Sequence, residues 1–265
     1  MNKKYVFIGK TLFFPKEKIL VVGDLHLGYS EMLRQKGLEI SIRQFEEMQE
    51  ELEKTIKYAK AIYGKIEKIV FLGDVKHHFG YLETEREEIK KLLSFLRKWG
   101  VDENRVIFVR GNHEKNEKSG KYCDFYIVKD IAFIHGHRDF LEIYDTENKQ
   151  RKLFSVSKNS NKFSDKKINL IVMGHLHPTV TLSDKMKIKR EKYKCFLVGR
   201  YKKKDFVVVP SFISITEGVS LSEFIDEKGY DYSIVPNKEL ENFEVYAINE
   251  VGEEALAFGK LKDLH

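Results

Sequence analysis

The sequence is poor in cysteine, in proline and in long apolar runs, and each scarcity narrows what the protein can be. Its two cysteines, Cys123 and Cys195, form no CxxC pair, so we expect reduced, buried thiols. Only four prolines are present, and no proline-rich linker is visible. No apolar run approaches the roughly 18 residues of a membrane-spanning helix, and the first residues lack the apolar core of a signal peptide. We therefore predict a cytoplasmic protein without membrane contact.

Charge, in contrast, is abundant. Charged residues make up 33% of the 265 residues and are rich in Lys and Glu, which suits the surface ion pairs of a thermophile. The formal net charge of +6 permits nucleic-acid binding but is too small to argue for it alone. With 42% apolar residues the chain can bury a large core. Since no repeat, linker or break in composition divides it, we predict a single domain over residues 1–265.

Short apolar runs that end in polar clusters recur along the chain. They cover residues 19–22, 69–72, 106–109, 131–134 and 170–173. Continuous apolar runs of this length are typical of strands buried on both faces. Two capping-box patterns, Ser41/Gln44 and Thr84/Glu87, are each followed along the chain by apolar residues at helical spacing. The alternation predicts βαβ units, and hence an α/β fold with a largely parallel sheet.

After about residue 122 the helical signals weaken. Residues 141–167 are polar and irregular, as in a surface excursion. Four segments favour short strands, namely residues 193–199, 206–210, 243–248 and 254–259. We expect them to form a second sheet packed on the first.

Eight of the nine histidines lie in or beside the polar clusters at the strand ends. Because the carboxyl ends of parallel strands converge on one crevice, we expect imidazole, carboxylate and amide groups to meet there. Such groups are ligands for Mn, Fe or Zn. Asp24 and His26, and likewise His175 and His177, would point to one face if the strand ends are extended. Asp74 could bridge two cations through its two oxygens.

Five blocks in fixed order resemble the calcineurin-like metallophosphoesterase superfamily: Gly23-Asp24-x-His26, Gly73-Asp74, Gly111-Asn112-His113-Glu114, His135-Gly136 and Gly174-His175-x-His177. The resemblance implies an α/β/β/α sandwich of two mixed sheets flanked by helices, with a dinuclear metal site at the strand ends. It also implies one metal on Asp24, His26 and His177, another on Asn112, His135 and His175, and Asp74 between them. Manganese is the metal that we expect, with iron, zinc or nickel as alternatives.

The same blocks suggest roles for histidines outside the ligand set. His113 follows a ligand directly, and the resemblance implies an acid near the leaving oxygen. The block Asp24-Leu25-His26-Leu27-Gly28 and the spacing of His77 after Asp74 further resemble SbcD-type nucleases. Pro210-Ser211-Phe212 and Glu217-Gly218-Val219 look like the tail of small archaeal SbcD-related phosphoesterases. That resemblance implies that His77 lies at the substrate phosphate. His78 and Arg110 are expected to be structural, and His137 is a weaker candidate for a substrate contact.

These observations predict a metal-dependent phosphodiesterase that uses metal-activated water, with DNA or RNA as the favoured substrate class and a role in DNA repair as one form of it. The alternatives are a phosphodiesterase for small cyclic nucleotides, a phosphomonoesterase, and a partner subunit of a helicase complex. The basic segment 185–204 either tracks a nucleic-acid backbone or forms a solvated face, and the second interpretation is favoured. Only 88 residues follow His177, which leaves little room for the DNA-capping domain of full-length SbcD nucleases.

Overall fold

The structure is a computed structural model that describes residues 4–38, 43–80, 82–115, 120–144, 167–183, 190–213, 218–220, 232–249, 251–252 and 254–264. In these ranges no helix combines the length and the apolar character needed to cross a membrane. Part of the predicted surface excursion, residues 145–166, lies outside the described residues.

Six of the described strands form a first sheet, in which neighbouring strands follow one another in the sequence. They are β1 (Val6–Ile8), β2 (Thr11–Phe14), β3 (Ile19–Val22), β4 (Lys68–Phe71), β5 (Val106–Val109) and β6 (Tyr122–Cys123). The first three pair antiparallel, whereas β3 to β6 are parallel. The carboxyl ends of β3, β4 and β5 therefore open on the same edge, as the alternation of strands and helices predicted.

A second mixed sheet follows. It contains β7 (Tyr126–Val128), β8 (Ile131–Ile134), β9 (Leu170–Met173), β10 (Pro178–Ser183), β11 (Arg190–Tyr201), β12 (Lys204–Val208), β13 (Val219–Ser220), β14 (Glu244–Ala247) and β15 (Leu256–Lys260). The order is β13-β10-β11-β12-β9-β8-β7, and β14 and β15 extend from β11. The parallel pairs β8–β9 and β9–β12 bring the ends of β8 and β9 to one edge.

The described helices cover the outer faces of the two sheets. Over the first sheet lie α2 (Gln44–Tyr63) and α3 (Glu83–Lys98), and the short α1 (Tyr29–Gln35) precedes them in the chain. The second sheet carries the short α4 (Leu141–Tyr144) and α5 (Asn237–Leu240). Alternate residues of β3 face opposite layers: Leu20 packs under the helices, and Val21 packs between the sheets with Phe133 and Phe196. The predicted α/β/β/α sandwich is confirmed.

The helix starts differ from the capping-box predictions. Ser41 lies outside the described residues, and α2 begins at Gln44, whose side chain bonds to a loop instead of to the helix end. The helix α3 begins at Glu83, with Leu82 as its N-cap residue and no side-chain cap bond. Thr84 is therefore inside the helix, and its predicted capping role is wrong.

Candidate metal centre

The two sheets meet at the edge where five strands end, and every predicted ligand follows one of those ends. Asp24 and His26 come after β3, Asp74 after β4 and Asn112 after β5, all in the first sheet. The second sheet supplies His135 after β8, and His175 and His177 after β9. The loops are also joined directly, because the N–H groups of Leu25 and His26 donate to the carbonyl of Asp74, at 3.2 and 2.9 Å.

A first cluster contains Asp24, His26 and His177. The Nε2 atoms of the two histidines lie 3.3 Å apart, and Nε2 of His177 lies 3.4 Å from Oδ1 of Asp24. The other carboxylate oxygen of Asp24 accepts the backbone N–H of His175 at 3.0 Å. Asp24 is fully buried, and its Oδ1 has no hydrogen-bond partner among the described residues. A buried carboxylate oxygen of this kind needs a proton or a cation beside it.

The second cluster centres on Nε2 of His135. That atom lies 3.0 Å from Oδ1 of Asn112, 3.0 Å from Nδ1 of His175 and 3.3 Å from Oδ2 of Asp74. The far nitrogens of both rings face backbone carbonyls: Nδ1 of His135 lies 2.8 Å from the carbonyl of Leu72, and Nε2 of His175 lies 2.9 Å from that of Tyr232. Donation to those carbonyls leaves the inner nitrogens free to bind a metal.

Asp74 lies between the two clusters. Its Oδ1 accepts the N–H of His113 at 3.0 Å. Its Oδ2 lies 3.3 Å from Nε2 of His135 and 4.0 Å from Nε2 of His26. One oxygen therefore faces both clusters, whereas the sequence analysis expected one oxygen for each.

The electrostatics of the site fit divalent cations. Burial alone would lower the pKa of His135, but the carboxylates of Asp24 and Asp74 raise it to about 9, so the site attracts positive charge. Burial would raise the pKa of Asp74, yet the hydrogen bond and charge of His135 lower it to about 2. Burial lowers the pKa of His26 to about 3 and that of His175 to about 4. His26 and His175 are therefore neutral at pH 7 beside ionised carboxylates, as metal ligation requires, and a cation bound at His135 would replace its proton.

The ligand loops are not extended. His26, Asp74, His175 and His177 have positive φ angles of 47, 45, 71 and 46°, which non-glycine residues seldom adopt. Each such residue costs on the order of 1–3 kcal/mol and persists only where its surroundings hold it. The extended geometry assumed for the i, i+2 pairs is therefore wrong, and His175 and His177 face different clusters.

The comparison with known families decides where this chain belongs. The model of the calcineurin-like phosphoesterase family matches residues 17–232, well over half of the chain. The protein belongs to that family. Among curated protein sequences, none matches this phosphoesterase significantly.

Solved structures with similarity to this phosphoesterase include the nuclease MPE of Pseudomonas putida. The two share 17% sequence identity and a TM-score of 0.51, over 90% of this chain and 88% of the other, which shows a common fold. A zinc complex of Vps29 from Entamoeba histolytica has a TM-score of 0.35 at 16% identity, over 91% and 96% of the two chains. A metallophosphoesterase from Sphaerobacter thermophilus has a TM-score of 0.32 at 12% sequence identity, over 93% of this chain and 90% of the other. TM-scores as low as these two support no conclusion about this chain.

Two further histidines of the phosphoesterase border the clusters. His26, His77 and His113 form a third group, whose ring nitrogens lie within 4.8 Å of one another. Nδ1 of His77 lies 3.4 Å from Nδ1 of His26. Nδ1 of His113 contacts the carbonyl of His77, and its Nε2 lies 3.8 Å from Oδ2 of Asp74. The positions are compatible with the predicted roles, which stay predictions.

The residues that we expected to be structural do make structural contacts. Nδ1 of His78 accepts the N–H of Gly80 at 3.0 Å. Arg110 forms an ion pair with Asp124 at 3.2 Å and donates to the carbonyl of Glu114 at 2.8 Å. His137 packs with its ring centroid 5.2 Å from that of His135, and its role as a substrate contact stays a prediction.

Three polar side chains hold the ligand loops, a role that the sequence did not predict for any of them. Glu114 is fully buried and accepts the N–H groups of Asp74, Lys76 and Gly111, at 3.1, 3.1 and 2.9 Å. Gln44 donates to the carbonyl of His26 at 2.8 Å, and Glu85 accepts the N–H of His77 at 3.0 Å. The sequence held one sign of this role: Gln44 and Glu85 are polar residues at positions that belong to the apolar faces of their helices.

Two lysines of the basic segment 185–204 point inward, whereas Lys192, Lys202 and Lys203 are exposed, as the solvated-face interpretation predicted. Residues 185–189 lie outside the described part of the chain. Lys194 points inward: its Nζ donates to the carbonyl and hydroxyl of Ser211, at 3.1 and 3.0 Å, and to the carbonyl of Ile213. Lys204 is buried and donates to the carbonyl of Ile168. Phe212, between the two residues that Lys194 binds, donates its N–H to the carbonyl of Asp24 at 2.9 Å. Lys194 therefore helps to hold the segment that contacts the backbone of Asp24.

The titration of Lys194 makes the stability of the phosphoesterase depend on pH. Burial, and then the ammonium group of Lys10, lowers the pKa of Lys194 to about 7. Between pH 7 and 10 the unfolded chain keeps a proton that the folded protein releases, so the free energy of unfolding rises with pH. We expect a rise of about 2 kcal/mol from pH 7 to 9 in urea unfolding. Lys194→Met should lose this rise and the exposed control Lys192→Met should keep it; equal pH slopes in all three proteins would refute the assignment.

Proposed function

We propose that this protein is a metal-dependent phosphodiesterase that hydrolyses nucleic acid. The observation that carries the proposal is the pair of polar clusters on either side of Oδ2 of Asp74, bordered by imidazoles. A phosphodiester carries one negative charge, whereas a phosphomonoester carries up to two near neutral pH. Burial lowers the pKa of His77 to about 4, and Lys76 and Arg110 donate to backbone carbonyls. His77 therefore adds no positive charge beside the clusters at neutral pH, which supports the singly charged diester.

The proposed ligands are the seven predicted residues: Asp24, His26, Asp74, Asn112, His135, His175 and His177. Two divalent cations held there would neutralise phosphate oxygens and lower the pKa of a water molecule. The donor set of imidazoles, carboxylates and one amide oxygen suits manganese, iron or zinc, and manganese is our first choice.

The residues beside the clusters would act on the phosphate esters themselves. His113 keeps its Nδ1 on the carbonyl of His77, so Nε2 is the atom that can deliver a proton to the leaving oxygen. The carboxylate of Asp74 lies 3.8 Å from that atom. His77 would donate a hydrogen bond to a phosphate oxygen.

Nucleic acid is the substrate class supported by the resemblance of residues 24–28 and His77 to SbcD-type nucleases. The description of the Pseudomonas putida structure as a nuclease agrees with it, although that likeness extends to the fold alone. We further propose that residues 1–265 form one domain, because Leu12, Phe133 and Phe196 from distant parts of the chain share one core layer. A helicase partner and a cytoplasmic location stay predictions.

A hydrolysis panel with manganese tests the proposal. It compares a nitrophenyl phosphomonoester, a nitrophenyl phosphodiester and a single-stranded oligonucleotide. We expect both diesters to be hydrolysed faster than the monoester. His77→Ala should lower the rate on the oligonucleotide by about 10- to 100-fold, the size of a lost hydrogen bond to a charged group, and the rate on the small diester by less. The control is Ile62→Ala, an exposed side chain at the far end of α2, which we expect to leave both rates unchanged. A monoester rate far above both diester rates would overturn the proposed function.

A further inference from the structure

The loop between β4 and α3 presents a phenylalanine to solvent beside the proposed acid. Phe79 is 56% exposed, although large apolar side chains are usually buried. Its ring stacks on that of His113, with the centroids 4.2 Å apart and the planes at 19°. One face of Phe79 is thus occupied by His113.

The backbone on both sides of Phe79 is held in place. Nζ of Lys76 donates to the carbonyl of Gly80 at 2.7 Å, and the N–H of Gly80 donates to Nδ1 of His78 at 3.0 Å. The carboxylate of Glu85, on α3, accepts the N–H groups of His77 and His78, at 3.0 and 2.7 Å. An exposed aromatic ring on an anchored loop is a preorganised contact surface, because little conformational freedom is lost when a ligand binds.

We infer that Phe79 is the platform on which an unpaired base of the nucleic-acid substrate stacks. The inference rests on the proposed function, since it concerns a nucleoside attached to the scissile phosphate. Aromatic side chains bind the bases of single strands by stacking, whatever their sequence. His113, on which Phe79 stacks, lies with its Nε2 3.8 Å from the central carboxylate Asp74. A base one sugar away from a phosphate at the clusters would therefore reach the ring.

This position also favours unpaired over paired nucleic acid. A base inside a duplex has its faces covered by its neighbours, so stacking on Phe79 requires it to leave the helix, which costs free energy. We expect single strands and frayed ends to be cleaved in preference to the interior of a duplex.

The test compares substrates that differ only in the base. The diester set contains the dinucleotide TpT and its two abasic analogues, each of which lacks the base on one side of the phosphate. The monoester pair contains thymidine 5′-monophosphate and deoxyribose 5-phosphate. Base stacking predicts that the wild type prefers the base-containing member by about 5- to 150-fold in kcat/KM. Phe79→Ala should abolish the preference, and Phe79→Trp should keep it. The control Ile62→Ala removes a side chain of similar exposure, 59%, at the far end of α2.

The outcomes separate the possible roles of Phe79. Equal losses on base-containing and abasic substrates would mean that Phe79 only orients His113, and an unchanged preference in Phe79→Ala would mean that no base stacks there. Either result overturns the inference. If only monoesters are hydrolysed, the proposed function fails, but the monoester pair still decides on stacking. A single strand with a central 2-aminopurine supplies a readout without turnover: its fluorescence should be quenched on binding to the wild type and not to Phe79→Ala.

Discussion

Asp74→Asn should abolish hydrolysis, with a loss of about a thousandfold or more, and should reduce the metal content from two ions per chain. The carboxylate is buried, and its Oδ2 faces His135 at 3.3 Å and His26 at 4.0 Å. An amide removes the negative charge from both clusters at once. Metal analysis of the purified variant and kcat/KM at saturating manganese measure the two effects.

A surface aspartate provides the control. Asp139 pairs with Lys202 at 2.9 Å, and Asp139→Asn makes the same chemical change away from the clusters. We expect it to keep both ions and full activity. Two tightly bound ions in Asp74→Asn, or activity near that of the wild type, would show that Asp74 is not shared.

His113→Ala should retain the metals and lose the rate. Its Nε2 lies beside the central carboxylate but belongs to neither of the two clusters around Asp74. Positioned acids typically contribute about 10²–10⁴-fold, and we expect a loss of that size for substrates whose leaving group is a poor alkoxide. A nitrophenolate needs no proton to leave, so the loss on nitrophenyl esters should be much smaller.

The dependence on the leaving group separates acid catalysis from other roles. If His113 acted on metal geometry or on binding, good and poor leaving groups would suffer alike. Metal analysis of His113→Ala supplies the second check, since lost ions would explain an equal loss on all substrates. His137→Ala is a useful comparison, because His137 packs against His135 on the other side of the site.

Much of this fold, and the meeting of the proposed ligands at one edge, followed from sequence pattern. Runs such as residues 19–22 and 131–134 coincide with β3 and β8, because strands buried on both faces must be apolar throughout. The polar residues after such runs must lie at a sheet edge, which is why Asp24 and His135 meet although 111 positions separate them.

What the pattern could not predict depends on tertiary contacts. The positive φ angles of His26 and His175 run against local preference and are held by neighbouring loops. Lys194 lies in a basic run typical of a solvated face, yet three acceptors on the segment 211–213 draw it inward. Gln44 fitted a capping box from its spacing alone, and its actual partners are Ser30 and the carbonyl of His26.

Neither sheet holds a complete set of the proposed ligands. Asp24 and His26 extend from the first sheet toward His177 from the second, and Asp74 and Asn112 likewise meet His135 and His175. Any ion bound by either set would cross-link the two halves of the sandwich, in the way that a disulfide joins distant segments. The packing of Phe133 against Phe14 between the sheets would then contribute to metal affinity. A higher concentration of free metal would in turn raise the free energy of unfolding of the sandwich.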